Sequence, residues 1–99
     1  MAKFGLLATL EAKAGKEEEV DQFLRSARAL VEQEPGTVSW YAVRMGHTKF
    51  GIFDTFDDEA GRKAHLSGKV AEALFAKASE LFSQTPQVEQ LDILAEKLP

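Results

Sequence analysis

Cysteine is absent from the 99 residues. That removes disulfides, thiol nucleophiles, zinc ribbons and iron–sulfur ligation together, and it fits a reducing cytoplasm. Basic excess is lacking too: 12 Lys and Arg stand against 16 Asp and Glu, for a net charge of -4 and a pI near 5.1. With no positive field to hold phosphate backbones, nucleic acid is not expected as a partner. No apolar run approaches the ~18 residues that span a bilayer. Met1–Gly5 also lacks the charged, apolar, then small-residue order of a signal peptide. The glycines are scattered singly, which leaves no loop to cradle phosphates. Histidine is scarce: His47 sits in a turn, far from His65, and the two match no metal-ligand spacing. Ser39, Ser67 and Ser79 have no nucleophile-elbow context. No metal, flavin, nicotinamide or nucleotide cofactor is therefore expected.

What remains is a small soluble chain, expected to be cytoplasmic and to fold as one domain over residues 1–99. Lys3–Glu11 is rich in apolar residues and ends at the turn-prone Ala14-Gly15, so it reads as a strand. Lys16–Glu34 switches to helical spacing, with Val20, Phe23, Leu24, Ala27, Leu30 and Val31 on one stripe. Glu17, Glu18 and Glu19 complement the dipole of its first turn, and Pro35-Gly36 stops it. Thr37–Met45 and Lys49–Phe56 are dense in β-branched and aromatic residues and form a hairpin about Gly46-His47-Thr48. Asp57 or Asp58 caps a helix running to about Leu66. Ser67-Gly68 breaks the pattern, a longer helix follows from about Lys69 to Ser83, and Gln87–Leu94 closes as a strand. The order predicts an α+β, ferredoxin-like β-α-β-β-α-β domain, with an antiparallel four-stranded sheet and its helices on one face.

The strands carry a second message. A sheet with one wet face should alternate apolar with polar residues. Here Leu7, Tyr41, Val43, Met45, Phe53, Leu91 and Ile93 supply apolar character to the side opposite the other apolar set. Helices cover only one face, so a second copy packed sheet to sheet is the expected cover.

His65, one to two turns into the helix after Asp58, is the foremost candidate for chemistry. Facing the sheet, its imidazole has a pKa readily moved across neutrality and can take a proton from a phenol or enol and return it. Its alternative is a structural histidine bound to backbone or carboxylate. Asp54, an acid within a strand, is the second. If the hairpin loop has an even number of residues centred between His47 and Thr48, Asp54 pairs laterally with Tyr41. Otherwise Arg44, Arg62 or Lys63 can pair with it at the rim. Trp40, Tyr41, Phe53 and Phe56 form an aromatic set that serves a core or lines a pocket for a flat substrate.

The run Phe53-Asp54-Thr55-Phe56-Asp57-Asp58-Glu59-Ala60, leading to Ala64-His65-Leu66-Ser67 and preceded by Trp40-Tyr41, resembles the antibiotic biosynthesis monooxygenase family. The likeness extends over nearly the whole chain. It implies a dimeric α/β barrel in which the sheets of two subunits face each other. It also implies a pocket between sheet and helices near His65. Some members oxidise phenols, quinols or anthrones with O2 and no cofactor, the substrate supplying the electrons. Carried onto this chain, His65 is the catalytic proton acceptor, with Tyr41 and Asp54 orienting it or the substrate, and Trp40, Phe53 and Phe56 line the substrate pocket. Gly68-Lys69 stands where relatives often have a second histidine, which removes a two-histidine relay. The chain has no Asn, and neither helix after Asp57 carries Trp, so haem degradation is not expected. The expected function is a cofactor-independent monooxygenase of a small aromatic or quinol-type substrate. An isomerase or tautomerase of a small keto compound and a non-enzymatic ligand-binding dimer are the alternatives.

Overall fold

A computed structural model describes residues 2–99. The elements are β1 (Phe4–Glu11), α1 (Glu17–Val31), β2 (Thr37–Arg44), β3 (Lys49–Phe56), α2 (Glu59–Leu66), α3 (Lys69–Leu81) and β4 (Gln87–Asp92). The strands form one antiparallel sheet in the order β2-β3-β1-β4, the ferredoxin-like topology. Gly15, at φ +84°, turns the chain from β1 into α1, a conformation glycine adopts without a Cβ penalty.

The helices lie on the face formed by even-numbered residues of β1 and β3. Ala8, Leu10, Phe50 and Ile52 pack there against Val20 and Leu24 of α1 and Leu74 and Leu81 of α3. A smaller cluster of Ala27, Val31 and Val70 continues this layer, and Trp40 bridges the two clusters. Burying each Val, Leu, Ile or Phe among them contributes about 1.5–3 kcal/mol, which fixes the helices on this face. On the opposite face Leu7 and Phe53 are half-buried, while Tyr41, Val43 and Met45 are exposed. Among the described residues, no helix is long and apolar enough to cross a membrane.

Two features decide the site, a helix end that departs from the expected bounds and a loop parity that the sequence left open. Helix α1 ends at Val31, three residues short of Glu34. Pro35 disfavours helical backbone at the residue before it, so the chain turns away early. The turn is closed by Gln33 N–H to Leu30 O and Glu34 N–H to Val31 O. The hairpin loop, meanwhile, has an odd number of residues: Met45 N–H donates to Lys49 O at 2.8 Å, leaving Gly46-His47-Thr48 between them. The register is then centred on His47, and it is Trp40, not Tyr41, that stands opposite Asp54. A one-residue change of register exchanges the faces of the whole strand.

Candidate functional site

Asp58 begins the site by capping α2, its carboxylate accepting from Gly61 N–H at 2.8 Å. From that start the helix turns Gly61, Arg62 and His65 inward, a spacing that places them on one face. Arg62 is held against β1 and β4 by Glu59, by the carbonyls of Gly5 and Leu91, and by the Phe4 ring. It leaves Asp54 free for His65.

His65 is 7% exposed and lies between two carboxylates. Its Nδ1 is 2.6 Å from Oε1 of Glu34, and its Nε2 is 2.8 Å from Oδ2 of Asp54. The Phe56 ring packs against the imidazole with centroids 5.5 Å apart. Burial disfavours the charged ring, yet the hydrogen bonds to Asp54 and Glu34, with their charges, outweigh it and raise the pKa to about 8. Neutral solution therefore finds an imidazolium donating at both nitrogens.

Asp54 is 1% exposed. Its Oδ1 is buried without a hydrogen-bond partner among the described residues, as is Nε1 of Trp40 across the strand pair. Glu34 comes from the turn after α1, and its Oε1 also accepts from the Thr37 hydroxyl at 2.9 Å. Close backbone packing brings this turn to α2. A Cβ added to Gly36 would stand 2.8 Å from Cα of Gly61, so only hydrogen fits between the two. Gly68, where α2 gives way to α3, likewise leaves room for the other Glu34 oxygen, which lies 2.9 Å from where a Cβ would be.

Two recesses flank the imidazole. On the Glu34 side a cavity of about 300 Å³ is lined by Leu30, Glu34, Pro35, Ala64, His65 and Lys69, among others. On the Asp54 side an apolar crevice of about 40 Å³ runs beneath Leu66, Val70, Leu74 and Phe75. The first has the size of a small-ligand site; the second has room for little more than a water molecule.

The structure brings His65 and Asp54 together and separates them from most of the expected aromatic set. Tyr41 and Phe53 stand opposite each other on the outer face, so Tyr41 has no reach to Asp54. Trp40 shares the helix face with Asp54 but lines neither recess, and Phe56 meets His65 from within the core. The walls are mainly aliphatic, and the aromatic residue on the Asp54 side is Phe75 of α3, outside the expected set. Arg44, one of the three basic partners proposed for Asp54, donates instead to the Gly46 and His47 carbonyls of its own loop, and neither Arg62 nor Lys63 pairs with Asp54. Glu34 was missed. In sequence it is one acid in the run Glu32-Gln33-Glu34, and only the helix-ending effect of Pro35 hints that it leaves the helix surface. Among the described residues, no group of three or more potential ligands is arranged to hold a metal ion.

The charged ring makes the fold pH-dependent. A folded-state pKa raised from 6.5 to about 8 stabilises the protein fully below about pH 6.5, and the contribution fades as pH rises through about 8. Its expected size is roughly 1–2 kcal/mol. Urea unfolding at about pH 6 and about pH 9 measures it, and His65→Gln should remove most of the difference. Equal stabilities in the wild type would mean that the imidazole is not held as a cation.

The fold and site define a small ferredoxin-like domain with a buried histidine set between two carboxylates. The pattern of the antibiotic biosynthesis monooxygenase family matches residues 3–77, and the chain belongs to that family. It superposes on a protein of unknown function from Nitrosomonas europaea with a TM-score of 0.97 and 48% identity, over 100% of this chain and 96% of that one. A Pseudomonas aeruginosa protein matches at a TM-score of 0.80 and 23% identity, over 96% and 97% of the two chains. A proposed antibiotic biosynthesis monooxygenase from Caulobacter crescentus matches at 0.81 and 21%, over 95% and 92%. At their identities the last two speak for the fold alone. Among curated proteins, none matches the chain.

Proposed function

We propose that the protein is a monooxygenase acting on a small hydroxylated aromatic or quinol-type substrate, using O2 and no added cofactor. Family membership supports the reaction class. The single observation that carries the site is a buried His65 joined to Asp54 and Glu34 beside a cavity of about 300 Å³. In such a reaction the substrate loses two hydrogen atoms and gains one oxygen, while the second oxygen leaves as water. The substrate supplies every electron, so the protein's task is proton transfer in a recess poor in water. His65 and Asp54 act here as parts of one acid–base unit. The exposed Tyr41, Val43 and Met45 support a homodimer through the outer sheet face, where Tyr41 and Phe53 then belong to the interface. The cysteine-free sequence supports a reducing, cytoplasmic setting. Enolisation of a small keto compound draws on the same acid–base unit without oxygen and is the second reading.

Oxygen uptake by metal-stripped protein against quinols, naphthols and anthrones tests the proposal, with sedimentation equilibrium on the same sample giving the mass. The expected result is protein-dependent uptake by a species of two chains, lowered about 10²-fold or more in His65→Ala. Uptake no faster than boiled protein across the panel rejects the oxygenase. Oxygen-independent isomerisation by the same sample would establish the second reading.

A further inference from the structure

We infer that the base facing the substrate is Glu34, and that His65 is a positioning cation acting through it. The inference rests on the acid–base reading above and assigns its proton-accepting atom. Both ring nitrogens of His65 are occupied, Nδ1 by Glu34 and Nε2 by Asp54, and the ring is 7% exposed. No lone pair is left for a substrate proton, and a ring with a pKa of about 8 already carries both of its protons at neutrality.

The two carboxylates differ in what they face. The bare Oδ1 of Asp54 is buried beside a crevice of about 40 Å³, too small for an aromatic ring. Oε1 of Glu34 is spent on His65 and Thr37. Oε2 carries no hydrogen bond among the described residues and lies beside Gly68, and Glu34 and Gly68 both line the larger cavity. Besides Glu34 and His65, Lys69 is the charged residue lining that cavity among the described residues.

The proton balance follows. Glu34, His65 and Asp54 together carry one net negative charge when the ring is protonated. A phenolic or enolic hydroxyl gives its proton to Oε2, the O–H bond breaks, and the electron pair stays on the substrate oxygen. The unit becomes neutral as the substrate becomes an anion beside the imidazolium and Lys69. Desolvation strengthens that attraction. The substrate class is then a small, weakly acidic hydroxyl compound that enters neutral and is ionised in place.

The 4-nitrophenol chromophore reports this without any turnover, since its anion and neutral form absorb differently. At about pH 6, where the free compound is mostly neutral, wild-type protein is expected to bind it as the anion without releasing a proton, because Oε2 takes it. Glu34→Gln should form the anion only with release of about one proton, read by calorimetry in two buffers, and Glu34→Asp should restore part of the retention. Gly68→Ala, whose Cβ would sit 2.9 Å from Oε2, should displace that oxygen and weaken the proton retention while keeping the His65 cation visible by ring nitrogen NMR. If Glu34→Gln still binds the anion without releasing a proton, the acceptor is not Glu34 and the inference is overturned. Failure of the wild type to bind the probe, or binding only as the neutral form, overturns it as well. For turnover, Glu34→Gln should lower kcat/KM by about 10²–10⁴-fold. Wild-type activity should fall as pH rises through about 8, where His65 loses its proton; a rise there indicates a His65 base. Glu34-dependent proton retention without oxygen uptake would support Glu34 and reject the oxygenase, so the two failures are distinct.

Discussion

Replacing Asp54 with alanine is expected to cost about 3–5 kcal/mol, the usual consequence of removing one partner from a buried ion pair. A domain of this size has roughly 5–15 kcal/mol of stability in total, so the variant should sit close to unfolding at ambient temperature. The cost comes from what is left behind. His65 Nε2, 2.8 Å from Oδ2 in the native protein, would face an apolar crevice with no acceptor. Asp54→Asn keeps the shape and one acceptor and should cost less. Urea unfolding measures both, and NMR titration of His65 should show its pKa falling, because one of the two carboxylates that raise it has gone. Replacing both Asp54 and His65 with leucine should recover much of the alanine loss, since a well-packed apolar pair is often as stable as a buried ionic one. That recovery would show the pair to be a burden retained for chemistry. A loss below about 1 kcal/mol in Asp54→Ala would mean that Glu34 alone holds the ring.

Much of this arrangement was legible in the sequence. The period-two strands about Gly46-His47-Thr48, the helical stripe from Val20 to Val31, and the break at Ser67-Gly68 fix the order of elements because burial enforces those periods. Asp58 fixes the phase of α2, and that phase turns His65 toward β3 rather than solvent. The pairing of Asp54 turned on one bit of information, the parity of the hairpin loop. Counting three residues between Met45 and Lys49 puts Trp40 opposite Asp54; placing the centre between two residues puts Tyr41 there and reverses the faces. Glu34 was beyond reach for a different reason. Its meeting with His65 joins residues 31 apart, and no local periodicity carries a contact of that range. Sequence reading finds the faces of elements and is blind to which turn abuts which helix.

That abutment depends on two hydrogens. Gly61→Ala is therefore expected to reverse the usual rule for helices. Within an exposed helix, alanine is more favourable than glycine by about 0.8–1.0 kcal/mol. At residue 61 the added Cβ would stand 2.8 Å from the carbonyl oxygen of Gly36 and 3.3 Å from Oδ1 of Asp58. The first neighbour is backbone in a turn braced by Pro35 and cannot swing aside; the second is the capping carboxylate that starts the helix. The net effect should be a loss of about 2–3 kcal/mol, at the upper end of ordinary overpacking. Its signature would be local as well as global. As α2 moves off the turn, the 2.6 Å contact between His65 and Glu34 opens while the 2.8 Å contact with Asp54, on the sheet side, can persist. The His65 pKa should then drop toward its ordinary value, with the ring still held by one carboxylate. Gly36→Ala attacks the same contact from the turn and should give the same pair of changes, whereas alanine at Gly46, whose Cβ would meet nothing nearer than 4.0 Å, should leave His65 untouched. Unfolding curves and histidine NMR on the three variants decide the matter: a stabilised Gly61→Ala with an unchanged His65 pKa would show that α2 does not need the glycine contact to set its distance from Glu34.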